Sequence, residues 1–224
     1  LLYLAAAGVG TIGIVEFDVV DESNLQRQII HGQSDIGRSK AQSARDSIKE
    51  VNPLVDVRLH EVRLEPENAV ELFEQYDLIL DGTDNFEVRF LINDASLETG
   101  IPWINGGCVG SHGQVMAIIP GQTPCLRCLV EDVPEPGTTD TCDTAGVIGP
   151  AVCTVSSLQT VAAIKLLSGQ RELIEPVLTI LDVWDGSLRQ LKLGDLPTKT
   201  NCPACVQGER LWLRGERGSR TTIL

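Results

Sequence analysis

Asp77-Leu78-Ile79-Leu80-Asp81-Gly82-Thr83-Asp84-Asn85 decides the fold. A short apolar run closed by acids reads as a compact central strand, Gly82 to Asn85 turn the chain, and a helix to about Thr99 follows. Strand, polar turn and helix make an α/β unit, and the upstream segments repeat it. Thr11 to Phe17 reads as a buried strand with Glu16 and Asp18 at its carboxyl end, and Asp21 to Ile36 as a polar loop with room for one short helix. A helix is predicted over Arg38 to Val51, where Ala41, Ala44, Ile48 and Val51 recur at helical spacing before Pro53. Val55 to Leu59 alternates like a strand, and Pro66 to Glu74 reads as a helix with proline near its start. Leu1 to Ala7 gives the last turns of another helix, stopped by Gly8.

Downstream the pattern changes. Pro102 to Asn105 and Gly113 to Ile119 read as strands, and Val155 to Leu167 as a helix. Val177 to Val183 and Leu188 to Leu193 form a hairpin around Asp185-Gly186. The expected fold class is α/β: a mostly parallel Rossmann-like sheet flanked by helices and extended by antiparallel strands. Such sheets bind ligands beyond the carboxyl ends of their strands, where Glu16, Asp18, Asp81 and Asp84 fall. Pro120 to Pro150 reads as a long loop rich in Pro, Gly and Thr, and loops of that length are usually functional or disordered.

Cys125/Cys128 and Cys202/Cys205 are two C-x-x-C pairs with the local spacing of a Cys₄ zinc site. A disulfide framework competes poorly, because 7 cysteines cannot all pair and a chain of 224 residues needs no such staples. Two redox-active pairs are a further alternative, and Pro203 inside a late pair with a distant twin favours the metal. Cys142 is left over in a Gly/Thr/Asp-rich segment where a thiol is reachable, while Cys108 and Cys153 read as buried small hydrophobes.

A hydrophobic content of 42% supports one sizeable core. The net charge of −13 argues against a nucleic-acid partner, whose affinity comes from neutralised phosphates. No apolar run is expected to approach the length of a membrane span, and nothing reads as a signal peptide, so no membrane partner and a reducing cytoplasm are expected. With Met116 as the sole methionine, the chain reads as trimmed at both ends.

Ser23-Asn24-Leu25-Gln26-Arg27-Gln28, Gly37-Arg38-Ser39-Lys40-Ala41, Asp81-Gly82-Thr83-Asp84-Asn85 and the two cysteine pairs occur in an order that resembles the ThiF/MoeB/HesA family, bacterial relatives of ubiquitin-activating enzymes. Cys142-Asp143-Thr144-Ala145-Gly146-Val147 looks most like the thiamine branch. The resemblance implies an adenylation domain over residues 1–205, with 206–224 beginning a C-terminal extension. It implies ATP-dependent adenylation of the C-terminal glycine of a ubiquitin-like sulfur carrier (ThiS- or MoaD-like) by a homodimer, for thiamine or molybdopterin synthesis. Glu16 is then placed for the ribose, Asn24, Gln26, Arg27 and Lys40 for the phosphates, Asp84 for Mg²⁺, and Asn85 for the nucleotide or the incoming tail. Cys125, Cys128, Cys202 and Cys205 would hold Zn²⁺. Cys142 would form a sulfur-linked intermediate, with a sulfurtransferase as a second partner.

Singly, these residues have plainer readings. Asp84 is a natural N-cap for the next helix, Arg27 and Lys40 are solvated surface cations, and Glu16 and Asp18 are strand-end solubilisers. A non-catalytic zinc-stapled module that binds a ubiquitin-like tail is the competing function, and an NAD-dependent oxidoreductase is a third. The chain also departs from the family: Gly8, Gly10 and Gly13 follow the first helix and do not form the family's glycine-rich nucleotide loop, and its N-terminal arginine is missing. Residues 1–224 alone are therefore expected to bind ATP weakly or not at all.

Overall fold

The computed structural model describes residues 1–134 and 142–217, apart from the side chains of Cys142, Asp143 and Thr198. Leu2–Ala6 (α1) ends before Gly8, whose φ of +84° is a conformation glycine adopts without steric cost. Thr11–Val15 (β1) pairs in parallel with Asp56–His60 (β2), and Lys40–Val51 (α2) connects them. The loop between β1 and α2 contains two 3₁₀ turns, Glu22–Asn24 and Gln33–Asp35.

Pro66–Phe73 (α3) leads to Ile79–Leu80 (β3) and Phe86–Thr99 (α4). Trp103–Val109 (β4), His112–Ile118 (β5), Val177–Asp182 (β6) and Ser187–Lys192 (β7) complete a second sheet in the order β3-β4-β5-β6-β7. Its first pairing is parallel and the other three are antiparallel. Between β5 and β6 lie Cys142–Ala145 (α5) and Gly149–Leu167 (α6), and Leu196–Thr200 (α7) follows β7. The expected α/β class, with parallel pairing and an antiparallel extension, is what forms.

Side-chain alternation along the strands builds two cores. Trp103, Met116 and Ile118 join Phe73, Phe90 and the cysteine pairs on the α3–α4 side. Ile104 and Val115 join Ile12, Ile48, Val155 and Ala163 beneath α1, α2 and α6. Burying a side chain such as Phe90 contributes about 1.5–3 kcal/mol.

Two expectations change in extent. The run Asp77 to Asp81 was expected to be a central strand, yet only Ile79 and Leu80 pair, and they lie at the edge of their sheet. Its apolar residues are covered by helices instead: Ile79 packs into the α4 core, and Leu78 and Leu80 into the α6 core. Helix α6 starts at Gly149, six residues before the predicted Val155, because Pro150 fits a first helical turn. At 19 residues it is long and apolar enough to span a membrane by length and composition, which corrects the expectation that no run would be. It spends one face on the sheet, burying Ala151, Val155, Gln159 and Ala163.

Residues 209–213, expected to open a C-terminal extension, return to α4. The Trp212 ring stacks on Phe90 at 5.2 Å between centroids, and the Trp212 amide donates to Asp94 Oδ2 at 3.0 Å. Trp212→Ala is expected to lower stability by about 3–5 kcal/mol, read as a shifted denaturant midpoint.

Candidate functional site

The first cluster lies where β1 ends. Glu16 Oε1 accepts the Phe17 and Asp18 amides at 2.8 and 2.9 Å, so the carboxylate is held by its own turn. Lys40 opens α2, and its Nζ reaches Asp18 Oδ2 at 3.2 Å with the Lys40 side chain only 12% exposed. Lys40 is thus a half-sequestered cation facing carboxylates rather than a freely solvated one. His31 lies in the same field and bonds Ser43 Oγ at 2.8 Å. Burial lowers its pKa, while the Asp35 carboxylate pulls the other way. Phe17 is exposed, and the Arg63 guanidinium stacks 4.4 Å from its ring centroid.

The loop bearing Asn24, Gln26 and Arg27 begins with a capping box. Asp21 Oδ1 accepts Ser23 N at 2.8 Å, and Asn24 Oδ1 accepts Asp21 N at 3.3 Å. Arg27 Nη1 donates to Ser23 O at 3.0 Å, and Gln26 is exposed. Asn24 therefore shapes its own loop, which the sequence alone did not separate from a ligand contact.

The second cluster follows β3. Asp84 is exposed and makes no hydrogen bond or ion pair among the described residues. The N-cap of α4 is its neighbour: Asn85 Oδ1 accepts Val88 N at 3.0 Å. The plain reading of Asp84 as the cap is thereby corrected, and Asn85's acceptor is spent on the helix. Asp81 is not a mouth residue either. It is buried, and Arg89 Nε donates to its Oδ2 at 3.0 Å while Thr83 N and Oγ1 donate to its Oδ1 at 2.8 and 2.7 Å. Burial pushes the Asp81 carboxyl up and the Arg89 charge opposes it.

Gly106 and Gly107 lie inside β4 and make room for buried polar groups. A Cβ on Gly106 would meet the Gln159 amide at 2.4 Å, and one on Gly107 would sit 3.4 Å from Arg89 Nη1. Gln159 Nε2 donates to Asp81 O at 2.8 Å and to Ile104 O at 3.0 Å. Sequence reading missed Arg89 and Gln159. The available signal was a basic residue and an amide inside helices whose other residues fit a core.

Helix α6 relates the clusters. At its start, a Cβ on Gly149 would lie 2.6 Å from Gln26 O. Just before it, Gly110 N donates to Gly146 O at 2.8 Å and Ile148 N to Gly110 O at 3.0 Å, which pins the end of β4 there. Gln159, about 15 Å further along at helical rise, holds the end of β3. The start of α6 thus lies against the Arg27 loop and the end of β4, while Gln159 further along the same helix holds the end of β3. No hydrogen bond or ion pair joins Arg27, Lys40 and Asp84 to one another among the described residues. Backbone residues Cys142 to Ala145 lie against β4. The Cys142 thiol itself is outside the described residues.

The cysteine pairs meet on the opposite face of the sheet, in the α4 core. Their four sulfurs lie within 4.8 Å of one another. Cys125–Cys128, Cys125–Cys202 and Cys128–Cys205 separations are 3.9, 3.6 and 3.5 Å. Tetrahedral Zn–S bonds of about 2.3 Å require sulfurs about 3.8 Å apart, whereas a disulfide requires about 2.05 Å. The set fits one four-coordinate cation and is not a disulfide. Contact with Cys128 and then Cys202 pushes the Cys125 thiol up, and contact with Cys125 pulls Cys202 down. Helix α4 supports the set: Asn93 Oδ1 accepts Leu126 N at 2.9 Å. Cys108 and Cys153 are half-buried rather than buried.

Comparison with known proteins matches residues 1–204 to the ThiF family. The chain is 50% identical over 214 residues to the probable adenylyltransferase/sulfurtransferase MoeZ of Mycobacterium tuberculosis, covering 94% of this chain and 55% of that protein. It is 38% identical over 223 residues to the sulfur carrier protein ThiS adenylyltransferase of Bacillus subtilis, covering 99% of this chain and 65% of the relative. The chain thus spans between about half and two thirds of these relatives' length. A crystal structure of E. coli MccB shares the fold, with a TM-score of 0.74 at 18% identity over 91% of this chain and 60% of that one.

Dialysis against Co²⁺ is expected to give a tetrahedral thiolate–cobalt absorption spectrum, and Cys202→Ser to weaken it and lower the melting temperature. Absence of those bands in folded protein would count against metal binding by these sulfurs.

Proposed function

We propose that this chain, which belongs to the ThiF family, carries ATP-dependent adenylation of the C-terminal glycine of a ubiquitin-like sulfur carrier. The main support is the ThiF-family match over residues 1–204, together with the exposed, unengaged Asp84 carboxylate where β3 gives way to α4. The names of both relatives given above include adenylyltransferase.

The carrier's terminal carboxylate, ionised at neutral pH with a pKa of about 3.5, is the nucleophile, so no general base is required. It attacks the α-phosphorus of ATP, forms an acyl–phosphate bond and releases pyrophosphate. The protein's part is alignment and charge stabilisation. Arg27 and Lys40 neutralise phosphate charge that grows on the leaving pyrophosphate, with Gln26 beside them. Asn24 works through the loop it caps. Glu16 orients the ribose, using the oxygen its own turn leaves free, and Asn85 fixes the start of α4 beside Asp84. Asp84 is the carboxylate for Mg²⁺, whose contribution when bound is phosphate charge neutralisation. Cys125, Cys128, Cys202 and Cys205 hold Zn²⁺ as a structural ion. In a following step the Cys142 thiolate attacks the acyl-adenylate, forming an acyl–sulfur bond and releasing AMP. A sulfurtransferase persulfide then attacks that thioester, joining the carrier to it as an acyl disulfide and releasing the Cys142 thiol, and a thiol reductant cleaves the S–S bond to free the thiocarboxylate.

A homodimer in the cytoplasm completes the reading, and the exposed Val161, Ile164 and Leu167 of α6 offer an apolar face for the second copy. Only one of the two relatives names its carrier, so the choice between thiamine and molybdopterin synthesis rests on the carrier this chain accepts.

Carrier-dependent exchange of labelled pyrophosphate into ATP tests the proposal, and full exchange by residues 1–224 overturns the expectation that they bind ATP weakly. Asp84→Asn and Lys40→Ala are each expected to lower the exchange rate by about 10²–10³-fold without unfolding the protein. The faster of a ThiS-like and a MoaD-like carrier assigns the branch. Carrier binding with no exchange would instead favour a zinc-stapled binding module.

A further inference from the structure

We infer that Arg89 is a positioning residue that holds the loop Gly82 to Asp84 from beneath and so sets the aim of the Asp84 carboxylate. The inference rests on the reading of Asp84 as the magnesium ligand.

Arg89 lies one turn into α4, 7% exposed, under the loop rather than beside any ligand surface. Its guanidinium spends its donors on three different segments. Nε donates to Asp81 Oδ2 at 3.0 Å, at the end of β3. Nη2 donates to Thr83 O, the carbonyl immediately before Asp84, and to Gly106 O at 3.2 Å in β4. Asp81 answers from the other side, where its Oδ1 takes both donors of Thr83. The residue preceding Asp84 is thus gripped at its amide, hydroxyl and carbonyl, and Asn85 after it is fixed as the helix cap. Between these anchors Asp84 alone stays exposed without a partner among the described residues.

Such a grip has a mechanistic use. A carboxylate on a loose loop must be ordered each time a cation binds, whereas one on a fixed loop meets the cation already aimed. The planar fork matters, because a lysine ammonium at this position pairs with Asp81 but cannot hold Thr83 O and Gly106 O in the same plane.

The test compares Arg89→Lys, the double variant Asp81→Asn/Arg89→Gln, Asp84→Asn and the unsubstituted full chain. Melting temperature and Mg²⁺ dependence of carrier-driven pyrophosphate exchange are measured for each. Arg89→Lys is expected to raise the half-saturating Mg²⁺ concentration by about tenfold, as loss of an outer-shell partner does, with metal-free ATP affinity unchanged. With the single variant Arg89→Gln measured alongside, the double variant leaves no uncompensated buried charge, so its melting temperature recovers relative to Arg89→Gln while its Mg²⁺ requirement stays high. Unsubstituted Mg²⁺ dependence in folded Arg89→Lys, or recovery of both properties together in the double variant, would overturn the inference. Full activity in Asp84→Asn would instead remove the reading on which it rests.

Discussion

The Arg89 guanidinium lies buried against the Asp81 carboxylate where β3 gives way to α4, and much of the architecture is arranged around that pair. Removing two charges from water costs several kcal/mol per ion, so a buried pair persists only where further hydrogen bonds satisfy it. Here those bonds come from Thr83, from the Gly106 carbonyl and, through the Asp81 backbone, from Gln159 on α6. A side chain larger than hydrogen at position 106 would push Gln159 away. One polar contact set therefore ties together β3, β4, α4 and α6.

Further along, the same helix serves the cysteines. Asn93 and Asp94 are wholly buried on α4 and accept the backbone amides of Leu126 and Trp212. Burial pushes the Asp94 carboxyl up, with the Trp212 amide first among the groups opposing it. Helix α4 thus carries the Asp84 loop at its start and the sulfur cluster along its length. The cysteine cluster and the proposed catalytic end lie on different parts of one rigid element, so an ion held there would be structural rather than reacting.

The charge pattern fits this division. In a chain of net charge −13, Lys40 is held by Asp18 at the end of β1. A polyphosphate bound there, as proposed, would compete with Asp18 for the ammonium.

Much was legible in the residues because the signals were local. Helical spacing from Ala41 to Ile48, the turn at Asp185-Gly186 and the C-x-x-C spacing each act within a few residues. Their chemistry alone fixed the α/β class and nominated the sulfur set. Tertiary structure decided the rest: that Cys125 and Cys202 meet, that Asp81 is buried while Asp84 is not, and that Arg89 and Gln159 serve the same loop. The reason is physical. An acid, an arginine or an amide has no fixed role until packing determines whether water or a buried partner satisfies its hydrogen bonds, and those partners come from strands and helices distant in the chain.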